Sequence, residues 1–321
     1  MTSAKIEELW VNLTHSGHSE FEFIRIDAEC IPELNIGLNS RMDRCLILEL
    51  PTENDADIQS VIKENLALNF YRETNYIVVQ LTDNSYQDLF NDLIVSIYQH
   101  IYLLSDTTEY TQALIYTFYK WSGFFDDKKT GRLQPDQVKG LIGELLFLKD
   151  FLPETPASSI NDAVLSWQGP YDKSRDFVTD SKDTEVKTID TYKTDVIISS
   201  EYQLEPESGK TIELAVVSIE ADILNGLSLK TIVLELRDII ISKLGDTAIL
   251  FDALSQKGLS LRNLYEYDNL RFRPVNIVTY DCSRDGFPKL THGTLPTEIY
   301  QVSYHLRISL LNDFILQVKT L

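Results

Sequence analysis

Three residues near the middle of the chain have the types and spacing for hydrolytic chemistry: Asp176, Glu185 and Lys187. Glu185 and Lys187 are two apart in the β-branched run Thr184 to Ile189. On a strand they share a face, and Val186 points to the other. Thr179-Asp180-Ser181-Lys182 reads as a four-residue hairpin loop. That loop sets Val178 opposite Asp183 and therefore Asp176 opposite Glu185, with Cβ atoms about 5 Å apart. Like charges so placed repel, and a cation between them removes the conflict. Hard carboxylate oxygens with open positions suit Mg²⁺, with Mn²⁺ as a substitute. Lys187, one step along the same face, is placed to orient and help deprotonate a water bound to that ion. The chemistry expected is metal-assisted hydrolysis of a phosphodiester.

A fourth acid supports this reading. The run Lys139-Gly140-Leu141-Ile142-Gly143-Glu144-Leu145-Leu146-Phe147-Leu148 predicts a helix, led in by Leu133-Gln134-Pro135-Asp136 and stopped by Pro153. Glu144 shares a helical face with Leu141, Leu148 and Phe151. An acid on an apolar stripe is costly unless paired or bound to metal. Packing that helix on the strands brings Glu144 towards the same cation.

The elements that must hold these groups follow from periodicity and turn signals. Short strands are expected at Asp176 to Val178, Thr184 to Ile189, Asp195 to Ser200 and Thr211 to Ile219, forming a meander. A helical stretch follows at Ile223 to Leu244, then a helix at Asp246 to Gln256. Strands around Asn276 to Tyr280 and a last apolar segment, Tyr300 to Val318, complete the chain. Upstream, Arg44 to Leu50 and Asn75 to Leu81 read as strands, and Phe90 to Leu104 and Tyr110 to Phe125 as helices, in an alternating pattern. The polar break Asp126-Asp127-Lys128-Lys129-Thr130-Gly131-Arg132 marks a boundary. The expected organisation is an N-terminal α/β domain (1–125), a catalytic core (126–220) and a C-terminal α/β extension packed on the core (221–321).

Taken in order, these runs resemble a known superfamily. Gly140-Leu141-Ile142-Gly143-Glu144-Leu145-Leu146-Phe147-Leu148 is followed by Trp167-Gln168-Gly169-Pro170 and Arg175-Asp176-Phe177. Glu185-Val186-Lys187-Thr188 and Ile198-Ser199-Ser200-Glu201-Tyr202-Gln203-Leu204 come next. Asp285-Gly286-Phe287-Pro288-Lys289-Leu290, Leu295-Pro296 and Tyr300-Gln301-Val302-Ser303-Tyr304 extend the likeness. The series resembles the PD-(D/E)XK nuclease superfamily, and more narrowly a bacterial family of PD-(D/E)XK-motif proteins found in restriction-like, phage-defence gene sets. It covers the chain from Leu133 onward. The resemblance implies an α/β (α+β) fold with a restriction-endonuclease-like core: a mixed β-sheet flanked by helices, the active site at a splayed hairpin. It implies Asp176, Glu185 and Glu144 as metal ligands and Lys187 as the catalytic lysine. Arg175 stands where the motif has proline and could contact phosphate; Glu201 and Gln203 are expected to line the site.

Composition bounds the partners. Of 321 residues, 43% are hydrophobic and 24% charged, enough for packed cores. Lys and Arg number 29 against 49 Asp and Glu, a net charge of −20, which argues against a general nucleic-acid coat protein. Local phosphate contact is still open, and Lys128, Lys129, Arg132 and Lys139 form the clearest basic patch. Three scattered cysteines and five dispersed histidines support neither a disulfide framework nor a zinc site. No run of about 18 apolar residues spans a membrane, and a reduced, cytoplasmic protein is expected. Together with the resemblance, the expectation is a Mg²⁺-dependent DNA endonuclease, which the resemblance places in a defence or restriction-modification system. RNA would meet the same chemistry. The alternative is a non-cleaving or partner-activated subunit docked on a helicase/ATPase or methyltransferase, and a homodimer would let two sites act on two strands.

Overall fold

The computed structural model describes residues 1–14, 19–52, 58–126 and 132–321. Lys128, Lys129, His15 and His18 lie outside the described residues. The chain forms two compact units, Met1–Lys129 with Asp246–Phe251 and Ser260–Arg262, and Thr130–Gly245 with Asp252–Leu259 and Asn263–Leu321.

The first unit runs α1 (Ser3–Val11), β1 (Phe21–Arg25), β2 (Glu33–Asn39), β3 (Arg44–Glu49), β4 (Val61–Ile62), β5 (Leu66–Tyr71), β6 (Tyr76–Leu81), α2 (Gln87–Ile101) and α3 (Thr107–Ser122). Its strands form one antiparallel sheet in the order β1-β2-β3-β6-β5-β4. The apolar runs of β3 and β6 are the central strands, buried on both faces. Strands and helices are therefore segregated here, not alternating as the periodicity suggested. Before β3 (β1 and β2) and between β3 and β6 (β4 and β5) lie weaker strands that the sequence pattern did not reveal.

The second unit runs α4 (Pro135–Phe151), α5 (Ile160–Leu165), β7 (Phe177–Val178), β8 (Lys182–Asp190), β9 (Asp195–Ile198), β10 (Thr211–Ala221), β11 (Leu227–Ser228), α6 (Leu229–Ser242), the second half of α7 (Thr247–Gln256), β12 (Arg271–Asp281), β13 (Tyr304–Arg307) and β14 (Ile315–Thr320). The main sheet has the order β11-β12-β10-β8-β7, and β14 also pairs with β12. Strands from both segments expected as core and extension are hydrogen-bonded within it. The sheet is mixed: β8 and β10 are parallel, and the other neighbours are antiparallel. The meander expected at β7–β10 is thus corrected. β9 leaves the sheet to pair with β13, so the chain crosses over between β8 and β10 and returns in the same direction, as parallel neighbours require.

Two packing layers fix the site. α4 begins with Pro135 at its first turn and a Gln134/Gln137 capping box. It lies so close to β8 that a Cβ on Gly143 would overlap the Thr188 side chain, and the Thr188 hydroxyl donates to the Gly140 carbonyl at 3.4 Å. A second core layer joins Ile189, Ile198, Leu204, Ile212, Leu214 and Leu306. Ile198 and Leu204 are fully buried and clamp the segment between them beside β8. Among the described residues no helix is long and apolar enough to cross a membrane.

Candidate active site

The site grows from the β7–β8 hairpin. Val178 pairs with Asp183 and Phe177 with Thr184, the expected register. The turn is tighter than expected, because Thr179 N–H also donates to the Lys182 carbonyl at 2.9 Å. Before Phe177 the two strands splay, and side-chain bonding replaces the ladder. Asp176 Oδ2 accepts the Val186 N–H at 2.8 Å. On its other side the Asp176 carbonyl accepts the Gln168 and Gly169 N–H groups at 2.7 and 3.1 Å. Asp176 is therefore held from both flanks, with its carboxylate at the open edge of β8 between Glu185 and Lys187.

Glu144 comes in from α4. Its Oε2 accepts the Trp167 indole N–H at 2.8 Å, and the Trp167 ring is fully buried. Gly169, two residues on, lies against both acids. A Cβ there would overlap Glu144 Oε2 and sit 3.0 Å from Asp176 Oδ1. The two carboxylate oxygens thus face one small volume that only glycine leaves open.

Glu185 is buried, its side chain 3% exposed, and its Oε1 pairs with Lys187 Nζ at 2.8 Å. Lys187 Nζ also donates to Gln203 Oε1 at 3.2 Å. That same oxygen accepts the Ser199 N–H at 2.7 Å, so the clamped 198–204 segment orients the lysine.

The electrostatics describe acids that resist ionisation. Burial pushes the Glu185 carboxyl up to about 8, with the Asp176 charge adding to it and Lys187 opposing. Burial and then Asp176 push Glu144 up to about 8, opposed by the Trp167 N–H. Asp176 is raised by burial and held down by the Val186 N–H, Lys187 and Lys257. Crowded, desolvated carboxylates with hard oxygens are the donor set a divalent cation relieves. As the side chains stand, no three His, Cys, Asp or Glu groups converge on one ion among the described residues. The gap beside Gly169 is lined by hard carboxylate oxygens of Glu144 and Asp176, the donor chemistry that suits a divalent cation, while Glu185 is held by Lys187.

The other expected residues are placed elsewhere. Gln203 lines the site. Glu201 is buried, and its carboxylate accepts the Gln301 and Val302 N–H groups at 3.2 and 2.9 Å, pinning that loop. Arg175 is buried, with its guanidinium donating to the Glu205 carbonyl. Its charge favours the ionised Glu185, but it is not presented outward to a phosphate. Lys139 pairs with Asp190 at 2.7 Å. Arg132 donates to the Glu266 carbonyl and lies over the Tyr267 ring. In the sequence Trp167 and Gly169 belong to a run that carries the resemblance, with no role at the site, and Lys257 gives no signal at all; the structure adds all three to the surroundings of the acids.

A family model described as "Putative PD-(D/E)XK family member, (DUF4420)" matches residues 6–309. No curated protein and no solved structure matches the chain.

Proposed function

The chain belongs to this PD-(D/E)XK family, and we propose from that premise that it is a divalent-metal-dependent nuclease, a DNA endonuclease of a defence or restriction-modification system. The observation that carries this reading is the Asp176–Val186 hydrogen bond at 2.8 Å, which fastens the first acid of the motif to the peptide between Glu185 and Lys187. Asp176, Glu185 and Glu144 would hold Mg²⁺ or Mn²⁺. The bound ion would supply Lewis-acid neutralisation of charge on the phosphate. Lys187, oriented by Gln203, positions the attacking water and steadies the charge that builds on the phosphoryl oxygens. Water adds to phosphorus, one P–O ester bond breaks, and the leaving oxygen takes up a proton. Trp167 keeps Glu144 aimed at the site, and Gly169 keeps the space between the acids clear.

Cleavage of supercoiled, linear duplex and single-stranded DNA, and of RNA, by purified protein with and without Mg²⁺ or Mn²⁺ tests the reading. Metal-dependent cutting lost in Lys187→Ala is the expected result. A second reading, a subunit that cuts only with a helicase/ATPase or methyltransferase partner, is favoured by the net charge of −20 and by the pairing of Lys139 with Asp190. Cutting that appears only on adding the partner selects it. Absence of cutting in both settings rejects the nuclease reading.

A further inference from the structure

The loop that touches the acids also brings them a cation. After Gly169 the chain makes one 3₁₀ turn, Gly169–Tyr171, and ends it at Asp172 in the left-handed region, φ 54°. Two contacts tie this loop to Asp252 in the second half of α7 and to Lys257 just past its end. The Tyr171 hydroxyl donates to Asp252 Oδ2 at 2.8 Å, and Lys257 Nζ donates to Asp172 Oδ1 at 2.5 Å. Lys257 thus stands three loop residues from the glycine that lies between Glu144 and Asp176. Its charge reaches them: it favours the ionised form of Glu144 and joins Lys187 in doing so at Asp176.

The hold on Lys257 is loose. Asp172 is its one partner among the described residues, and that side chain is 89% exposed against 31% for the lysine. Water competes for so exposed an ion pair. Three other cations of this unit are committed inward: Lys210 to Asp183, Lys139 to Asp190, Arg175 to the Glu205 carbonyl. A chain of net charge −20 needs local cations beside its acids to admit a polyanion.

We propose that Lys257 is a nucleic-acid-binding residue: leaving Asp172, its ammonium takes a non-bridging oxygen of a backbone phosphate adjacent to the one cut, and so lays the strand across Gly169 onto the acids. Asp172 is then a placeholder that keeps the lysine at the mouth of the site in the free protein. This rests on the phosphodiesterase reading above.

Steady-state cleavage of a labelled duplex in Mg²⁺, at several salt concentrations, tests it. Lys257→Ala is expected to raise KM about five-fold with kcat nearly unchanged, and to reduce the slope of log affinity against log salt by about one. Lys257→Arg keeps most of the binding. Asp172→Asn, which frees the lysine, lowers KM. Unchanged KM and salt slope in Lys257→Ala overturns the proposal, as does a fall in kcat shared equally by the Lys257 and Asp172 variants, which marks a structural brace. If the wild-type protein neither cuts nor binds duplex, alone or with its partner, the phosphodiesterase reading fails and this proposal with it. If the wild type cuts and Lys257→Ala is indistinguishable from it, the Lys257 assignment alone falls.

Discussion

Asp176 Oδ2 accepts the backbone N–H of Val186 at 2.8 Å. One side chain thereby does what the next rung of the β7–β8 ladder would have done. The strands can part at that point without leaving the Val186 amide unpaired, and the parting opens the edge where the acids gather.

Lys187→Ala is expected to lower the cleavage rate by a factor on the order of 10²–10⁴ while leaving the far-ultraviolet circular dichroism unchanged. Gln203→Leu, which removes the oxygen shared by Lys187 and the Ser199 amide, should give a smaller loss in the same direction. Cleavage at the wild-type rate by purified Lys187→Ala refutes its role.

Gly169→Ala places a methyl group between Glu144 and Asp176. The backbone at Gly169 is not left-handed, so the fold should tolerate alanine, but the carboxylates must separate. A rate loss on the order of 10² is expected from misplaced groups, together with weaker Mn²⁺ binding in a calorimetric titration. Wild-type kinetics in this variant would mean the gap has no role.

Gly143→Ala tests the packing of α4 on β8. The added Cβ overlaps the Thr188 side chain, and overpacking of this kind costs about 1–3 kcal/mol. Denaturant unfolding should show that loss, and Thr188→Ala should recover part of it in the double variant. Purely additive losses would mean that α4 shifts instead of clashing.

The acids also predict a pH dependence. In the folded chain Glu144 and Glu185 stand near 8, above the ordinary 4.5, so between those values the folded state binds more protons than the unfolded one. Their contribution is present below pH of about 4.5 and is lost as pH rises through about 8. With a chelator present, the melting temperature of wild type relative to Glu185→Gln should fall from pH 5.5 to 8.5. A difference that stays flat or rises contradicts the burial of these carboxyls.

Much of this was legible locally. The alternation around Glu185 and Lys187 places them on one face of a strand, and the Val178–Asp183 register follows from the short link between the strands. Pro135 and Pro153 mark the ends of α4 because proline can open a helix but not continue one. What was not legible depends on distant partners. The parallel pairing of β8 with β10 hinges on β9 finding β13 more than a hundred residues later. Glu201 lies next to the motif, yet its oxygens are taken by Gln301 and Val302, whose amides carry no pattern. Lys257 follows an ordinary amphipathic helix, and nothing local distinguishes it from any solvated lysine.

The most direct test of the whole account is a crystal of the protein soaked in Mn²⁺ and measured at the manganese absorption edge. An anomalous peak bounded by Asp176 and Glu185, with Glu144 beside it, and absent from Asp176→Asn crystals, is the expected result. A well-ordered site in soaked crystals with no peak there, or with manganese bound only elsewhere on the acidic surface, would contradict it.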